Sequence, residues 1–171
     1  NNYAHMGSTS SGGMAIFGHN IKSDSANNTI KSANTGYHSS MVKMYYNEGI
    51  TFHATSGTNT AGDTFYDISG TTNELMRITN SGNVGIGTGS PSTMLHLSAG
   101  TTGSAGGSHA GITMTNKYDN PDNSWSIRPS IDSVSNTGLE IRDVTDNRSV
   151  MVFDNSGNVG IGTTATGSYK L

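Results

Sequence analysis

The aromatic and polar residues around the single tryptophan are the first candidates for chemistry in this chain. Trp125 follows an Asp- and Asn-rich loop that contains Asp122 and Asn123. Tyr118 precedes the same loop. Aromatic rings stack on the C–H faces of sugars while carboxylates and amides hydrogen-bond sugar hydroxyls, so this group predicts a glycan-binding site. A second interpretation stays open, in which Trp125 and Ile127 belong to a core within the subunit or between chains.

A second aromatic group supplies the alternative ligand-binding residues. Tyr45 and Tyr46 are adjacent in a segment that reads as a strand, and Phe52 and Phe65 follow them. Because neighbouring residues of a strand point to opposite faces, we expect one of the two tyrosines to be exposed to a ligand. Packing of the whole group in a core is the competing interpretation.

The chain has six histidines and no cysteine. The absence of cysteine excludes disulfides, thiolate metal sites and a thiol nucleophile. His96 lies between Leu95 and Leu97, which makes it the histidine best placed to face inward. If three copies met around an axis, His96 would supply three imidazoles for a metal ion or an anion, whereas a strand histidine that faces solvent would bind neither.

Neither an enzyme nor a cofactor is expected. Glycoside hydrolysis needs two carboxylates at a set separation, and no spacing in the sequence selects such a pair. The patterns Gly-x-Ser-x-Gly and His-Glu-x-x-His are absent, and so is the carboxylate spacing of a calcium loop. A polysaccharide-degrading activity stays as a minor alternative, for which the available acidic residues are Asp63, Asp67, Glu74, Asp132, Glu140 and Asp143.

The composition points to a shared core. Gly, Ser, Thr and Asn make up about half of the 171 residues, whereas Leu, Ile, Val and Phe number only 28. That apolar share is too low for an ordinary globular core, yet a net charge of -3 does not match the high charge of disordered chains. The nine Lys and Arg residues are scattered, which excludes a basic nucleic-acid-binding stripe, and no apolar run is long enough to enter a membrane.

The elements that must position these residues are short strands. Segments of four to six residues alternate apolar and polar side chains between Gly, Asn, Ser or Asp, which is typical of an all-β protein. No segment keeps a helical period over three turns. The predicted strands are residues 14–17, 41–46, 50–54, 64–68, 75–79, 83–86, 94–98, 111–115, 124–128, 138–142, 150–154 and 158–161.

A ten-residue repeat organises the chain. TNSGNVGIGT at residues 79–88 returns as DNSGNVGIGT at residues 154–163. Its Ser-Gly-Asn triplet predicts a tight turn, and the glycine between Val and Ile predicts a close backbone approach. Because each copy has only two apolar residues, it cannot bury a core alone, and copies must pack on copies within or between chains.

The repeat divides the chain into two predicted modules, residues 1–98 and 99–171. Each module ends in one copy of the repeat, and the stretch TTGSAGGS at residues 101–108 has the composition of a flexible linker. The first module is the longer one, and we expect its extra residues within the stretch 23–46.

The run MRITNSGNVGIGTGSPSTMLHL at residues 76–97 resembles a repeat of bacteriophage tail fibre and tail spike proteins. The family form reads approximately RMRI-x-x-x-GNVGIGT-x-x-P-x-x-x-LHV. The second copy resembles it less, since Ala165 and Thr166 stand where the proline is expected. The intramolecular chaperone domain that often follows this repeat in phage fibres has no recognisable counterpart in the sequence.

The resemblance implies an elongated, interwoven parallel homotrimeric β-fibre, built from triple β-helix or β-prism-like segments and small β modules. It further implies an extracellular tail fibre of a virion that attaches to its host through cell-surface polysaccharides or glycans. A bacterial surface adhesin or fibre fragment is the alternative, and a polysaccharide-degrading tail spike fragment is a weaker one. In each case we expect the chain to be a piece of a longer polypeptide.

Overall fold

The computed structural model describes residues 4–9, 14–24, 29–66, 74–99, 110–117, 123–131, 138–164 and 166. These residues form short strands and no helix, which confirms the all-β prediction. The strands are β1 (Ala4–Thr9), β2 (Met14–His19), β3 (Ile21–Asp24), β4 (Thr29–Ser32), β5 (Ser40–Tyr45), β6 (Gly49–Ala54), β7 (Thr64–Tyr66), β8 (Glu74–Ile78), β9 (Val84–Ile86), β10 (Leu95–Leu97), β11 (Ile112–Asn116), β12 (Asn123–Arg128), β13 (Leu139–Asp143), β14 (Arg148–Phe153) and β15 (Val159–Ile161).

The chain divides into two compact units, Asn1–Ser98 and Ala99–Leu171. The first unit holds a seven-stranded sheet in the order β1-β2-β5-β6-β8-β9-β10 and a three-stranded sheet in the order β3-β4-β7. The second unit holds a five-stranded sheet in the order β11-β12-β13-β14-β15. Neighbouring strands of these sheets pair antiparallel, except for β9 and β10, which are parallel.

Each predicted strand has a counterpart whose ends differ by at most two residues, although residues 67 and 68 lie outside the described part. Three strands were not predicted. β3 and β4 have one isoleucine each and fall mostly in the stretch interpreted as extra residues, and β1 is rich in small and polar residues. Their strand conformation comes from pairing with a partner strand, because the sequence of each segment has little strand preference of its own.

The core of the first unit joins its two sheets. β2 alternates buried and exposed residues, and its buried side chains pack with buried side chains of the three-stranded sheet. Gly18 leaves the space for this contact, since a Cβ there would lie 2.5 Å from the side chain of Ile21. The buried cluster consists of Met14, Ile16, Ile21, Ile30, Met41 and Phe65, with Tyr45 packed against it.

The two copies of the repeat form the same hairpin, β8 to β9 and β14 to β15. In the turn of the first copy, the N–H of Gly82 donates to the carbonyl of Thr79 at 2.9 Å. In the second copy, the N–H of Gly157 donates to the carbonyl of Asp154 at 3.2 Å. Both glycines have a positive φ, 87° and 82°, so the predicted turn is confirmed and needs glycine at this position.

Each copy also carries a β-bulge at the equivalent residue. The pairing of β8 with β6 skips Leu75, and the pairing of β14 with β13 skips Val150. The carbonyl of each bulged residue accepts a 2.9 Å hydrogen bond from the last glycine of its VGIG segment, Gly87 and Gly162 respectively. The repeat therefore encodes a bulge and the backbone contact that holds it, besides a turn.

The glycine between Val and Ile permits the predicted close approach. A Cβ on Gly85 would lie 2.5 Å from the carbonyl oxygen of Thr88, and a Cβ on Gly160 would lie 2.8 Å from that of Thr163. The approaching backbone belongs to the loop that follows each VGIG segment. Contacts within one chain are therefore enough to explain why glycine stands at positions 85 and 160.

Substitution of the last glycine of each copy tests this geometry. Gly87 and Gly162 both have positive φ, 72° and 69°, so alanine costs roughly 1–2 kcal/mol of backbone strain at either position. At Gly87 the new Cβ would also lie 1.9 Å from the carbonyl oxygen of Ser98. We expect Gly87→Ala to lower the free energy of unfolding more than Gly162→Ala in urea titrations at equal protein concentration. Equal losses would contradict the contact with Ser98.

Candidate functional site

One face of the seven-stranded sheet carries two rows of apolar side chains. Residues directly opposite each other in neighbouring strands share a face, so the register fixes both rows. Most of these side chains are exposed or half-buried, and a groove of about 370 Å³ runs beside them. We call this surface the first open face. Its rows are Phe17, Val42, Phe52, Met76, Ile86 and Leu97, and Ala15, Met44, Ile50, Ile78, Val84 and Leu95.

The five-stranded sheet repeats this arrangement. One apolar residue from every strand lines up in a single row across the sheet, and further apolar residues flank that row. We call this surface the second open face. Its central row is Ile112, Ile127, Ile141, Met151 and Ile161, and it is flanked by the pair Met114 and Trp125 and by the triplet Leu139, Phe153 and Val159.

The repeat contributes equivalent residues to both open faces. Met76 and Ile86 oppose each other in the first copy, as Met151 and Ile161 do in the second. Because the turn and the bulge are the same in both copies, the same positions are directed to the same face. The two hairpins of this chain thus share the apolar surface that they present.

The balance of burial is unusual for a soluble domain. Among the described residues, eight apolar side chains are buried and sixteen large apolar side chains are exposed. Contiguous exposed apolar surface of this kind marks an interaction site in soluble proteins.

The opposite face of the seven-stranded sheet holds charges. Lys43 is fully buried and forms an ion pair with Glu48. Arg77 donates from Nε and Nη2 to the two carboxylate oxygens of Glu74, both at 2.6 Å. Burial lowers the pKa of Lys43, and the hydrogen bond and charge of Glu48 oppose that shift.

The opposite face of the five-stranded sheet is built in the same way. Glu140 is fully buried and pairs with Arg128 at 2.6 Å and with Arg142 at 3.3 Å. Burial alone would raise the pKa of Glu140, but hydrogen bonds from Ser149 and Arg128 and the charges of both arginines outweigh it, so the pKa lies below its usual value. The seven-stranded and five-stranded sheets thus each expose apolar side chains on one face and bury paired charges on the other.

Of the six acidic residues considered for catalysis, three form ion pairs, Asp63 accepts a 2.8 Å hydrogen bond from the backbone N–H of Thr60, and Asp67 and Asp132 lie outside the described residues. Glu74 pairs with Arg77, and Glu140 with two arginines. Asp143 accepts hydrogen bonds from Arg148 at 3.0 and 3.1 Å. These contacts are typical of structural carboxylates.

Trp125 lies on the second open face, opposite Met114 on β11. It is 36% exposed, and Asn123 shares its face at the end of β12. Tyr118 and Asp122, the other two residues of the predicted glycan group, lie outside the described residues. The structure therefore brings Trp125 together with apolar residues of its own sheet, and the glycan site around it stays a prediction.

Tyr45 and Tyr46 differ in exposure, as predicted. The ring of Tyr45 packs against the buried cluster, and the ring of Tyr46 in the following turn is 65% exposed. The two rings meet edge to face with 4.8 Å between their centroids. Only Tyr46 of this pair offers a free aromatic face.

His96 lies opposite Gly85 and therefore on the charged side of its sheet, whereas Leu95 and Leu97 lie on the first open face. Its Nδ1 accepts a 3.3 Å hydrogen bond from the backbone N–H of Ser92. Within the described part of the chain, no group of three or more His, Asp or Glu side chains could hold a metal ion. The axial metal on His96 stays a prediction, and this geometry does not favour it.

Sequence reasoning missed the loops at residues 33–39 and 55–63, which contain the half-exposed Tyr37. It also missed the buried charges. The signal for Lys43 was present, because Lys43 alternates with Met41 and Tyr45, whose side chains belong to the buried face.

The whole chain matches no protein-family model and no curated protein. In the described residues there is no helix long and apolar enough to cross a membrane.

Removal of the buried carboxylate tests the charged face. Glu140→Gln leaves Arg128 and Arg142 without their counter-charge, so we expect the free energy of unfolding to fall by about 3 kcal/mol. The matched control is Asp146→Asn, because Asp146 pairs with Arg148 at 3.5 Å with both side chains over 60% exposed. The control should change stability by less than about 1 kcal/mol.

The same variant predicts a change in pH dependence. Because the folded-state pKa of Glu140 is lowered, its stabilising contribution is present above the unfolded-state pKa of about 4.3 and is lost as the pH falls through the folded-state pKa. Urea titrations from pH 6 to pH 3 should show a smaller acid loss of stability in Glu140→Gln than in the wild type. Identical slopes would contradict the lowered pKa.

Proposed function

We propose that this chain is a segment of a phage tail fibre, a homotrimer whose open faces pack together and which attaches the virion to host cell-surface glycans. The observation that carries the proposal is the apolar row that crosses every strand of the five-stranded sheet, with its counterpart on the seven-stranded sheet. An apolar face of this extent is stable in water when another surface covers it.

A second copy of the chain is the occupant that best fits these faces. The chain has too few large apolar residues for a core of its own, and it exposes twice as many as it buries among the described residues. Identical faces from symmetry-related chains can supply the missing core and close around an axis. The resemblance of the repeat to those of trimeric tail fibres favours three chains.

This arrangement assigns roles to the predicted site residues. Trp125 and Met114 would contribute to the core between chains, so a glycan would bind elsewhere. His96 would face away from the axis, because Leu95 and Leu97 of the same strand lie on the open face. Leu95 and Leu97 would then lie at the contact between chains.

Attachment by such a fibre would be multivalent. Three equal sites on one trimer raise the effective concentration of each site after the first contact, so weak single contacts yield stable adhesion. A bacterial surface adhesin would use the same physics. Release of reducing sugar from a host polysaccharide would instead indicate the depolymerase alternative.

The mass in solution tests the assembly. Light scattering should give three times 17.8 kDa for the wild type, and the trimer should survive brief SDS treatment if its strands interweave. A folded wild-type monomer would overturn the fibre proposal, because the open faces would then be stable without a partner.

Two neighbouring residues of β11 locate the contact between chains. Met114 and Thr115 are both exposed and lie on opposite faces of the sheet. We expect Met114→Lys to yield a species of 17.8 kDa, because a charge would have to be buried between chains, whereas Thr115→Lys should keep the wild-type mass. Light scattering at several protein concentrations measures both. Dissociation of both variants or of neither would place the contact elsewhere.

A further inference from the structure

Two loops of the first unit form a rigid polar surface where the chain passes between its two sheets. Residues 33–39 connect β4 to β5, and residues 55–63 connect β6 to β7. The backbone of Tyr37 forms an isolated antiparallel bridge with Asn59. The N–H of Gly36 donates to the carbonyl of Asn59 at 2.8 Å, and the N–H of Asn59 donates to the carbonyl of Tyr37 at 3.0 Å.

Asn20, between β2 and β3, holds the first of these loops through hydrogen bonds from its buried side chain. It is buried and has a positive φ of 53°. Its Nδ2 donates to the carbonyl oxygens of Asn34 at 3.3 Å and Tyr37 at 3.2 Å, and its Oδ1 accepts from the N–H of Asn34 at 2.8 Å. Its carbonyl oxygen accepts from Oγ of Ser39 at 2.9 Å.

Ser39 extends the network to the second loop. Nδ2 of Asn59 donates to Oγ of Ser39 at 2.8 Å, and the N–H of Ser39 donates to Oγ1 of Thr55 at 3.1 Å. The N–H of Ala61 donates to Oγ1 of Thr35 at 2.9 Å. A buried polar network whose members are bonded in this way rigidifies the segments that it joins. A ligand that bound these loops would therefore lose little free energy to ordering them.

The surface of the loop pair has the chemistry of a saccharide site. Tyr37 as a whole residue is 49% exposed, and its backbone partner Asn59 lines a cleft of about 410 Å³. The rest of the cleft is formed by residues 55–58 with Asp63 and Thr64, which offer hydroxyl and carboxylate groups. Neither loop contains Lys or Arg, and the cleft is lined by the carboxylate of Asp63, so an uncharged ligand fits the cleft better than an anionic one.

We propose that residues 33–39 and 55–63 bind an uncharged saccharide, which stacks on Tyr37 and hydrogen-bonds in the cleft lined by Asn59. The proposal rests on the proposed function of glycan attachment and moves the binding site from Trp125 to this loop pair. It also gives the extra length of the first unit a role. The residues that distinguish this unit include the three-stranded sheet, which fixes one end of both loops.

The test is an array of immobilised neutral and acidic oligosaccharides, probed with the labelled full chain. The strongest wild-type ligand is then titrated against the variants. Tyr37→Ala should weaken binding about tenfold, and Tyr37→Phe should keep the wild-type affinity because the ring remains. Tyr46→Ala tests the competing aromatic candidate at the opposite end of the β5–β6 hairpin, and loss of binding there with Tyr37→Ala unchanged would overturn the site at Tyr37.

A second variant blocks the cleft without removing any contact. Gly57 lines the cleft, its φ is not positive, and a Cβ there would meet nothing within 4 Å. Gly57→Gln therefore fits the fold and adds an uncharged side chain to a residue that lines the cleft. We expect it to weaken binding at least as much as Tyr37→Ala, while light scattering gives the wild-type mass.

The outcomes separate the site from the function. Loss of binding in Tyr37→Ala and Gly57→Gln, with Tyr46→Ala unchanged, supports the site. Unchanged binding in Tyr37→Ala and Gly57→Gln overturns the site while glycan attachment stands. A wild-type chain that binds only acidic sugars overturns the uncharged class, and one that binds no sugar overturns both the attachment function and the site.

Discussion

The two-residue period of a strand is the constraint on which the rest of this structure depends. It directs Val42 and Met44 to one face of their sheet and Met41 and Lys43 to the other. The same rule operates in both units and gives the seven-stranded and five-stranded sheets an exposed apolar face and an opposite face with buried ion pairs, which in the seven-stranded sheet also carries the buried cluster. Because these apolar faces are exposed, a single chain does not gain the free energy that burial of their side chains would contribute.

The paired charges make this register specific. Lys43 and Arg77 lie two strands apart on the same face, where Glu48 and Glu74 neutralise them. A slip of one residue in either strand would move a cation to the apolar face and would leave a carboxylate without its partner. Buried ion pairs add little net stability, but breaking one is costly, so they discriminate against alternative pairings more than they strengthen the native one.

The sequence predicted the parts of the fold that depend on local chemistry. Strand alternation, the glycine turns and the close approach at Gly85 are properties of a few consecutive residues, so they could be read from the repeat. The pairing of β4 with the distant β7, and the hydrogen bonds of Asn20 to residues 14 to 19 positions away, are specified by no local pattern. The same limit applies to the surroundings of Trp125, because its exposed neighbour Met114 is brought beside it by strand pairing.

The proposed function assigns two tasks to this chain, assembly between copies and ligand binding. The repeat hairpins are nearly identical and deliver apolar residues to an open face, which is what assembly between copies requires. The loops around Tyr37 are held by side-chain hydrogen bonds at the end of the β5–β6 hairpin opposite its turn, and none of these bonds involves a residue of the open-face rows. If binding and assembly are located on separate surfaces of one unit, ligand contacts can change without disturbing the contact between chains. Three copies would then present three equal loop pairs outward, as multivalent attachment requires.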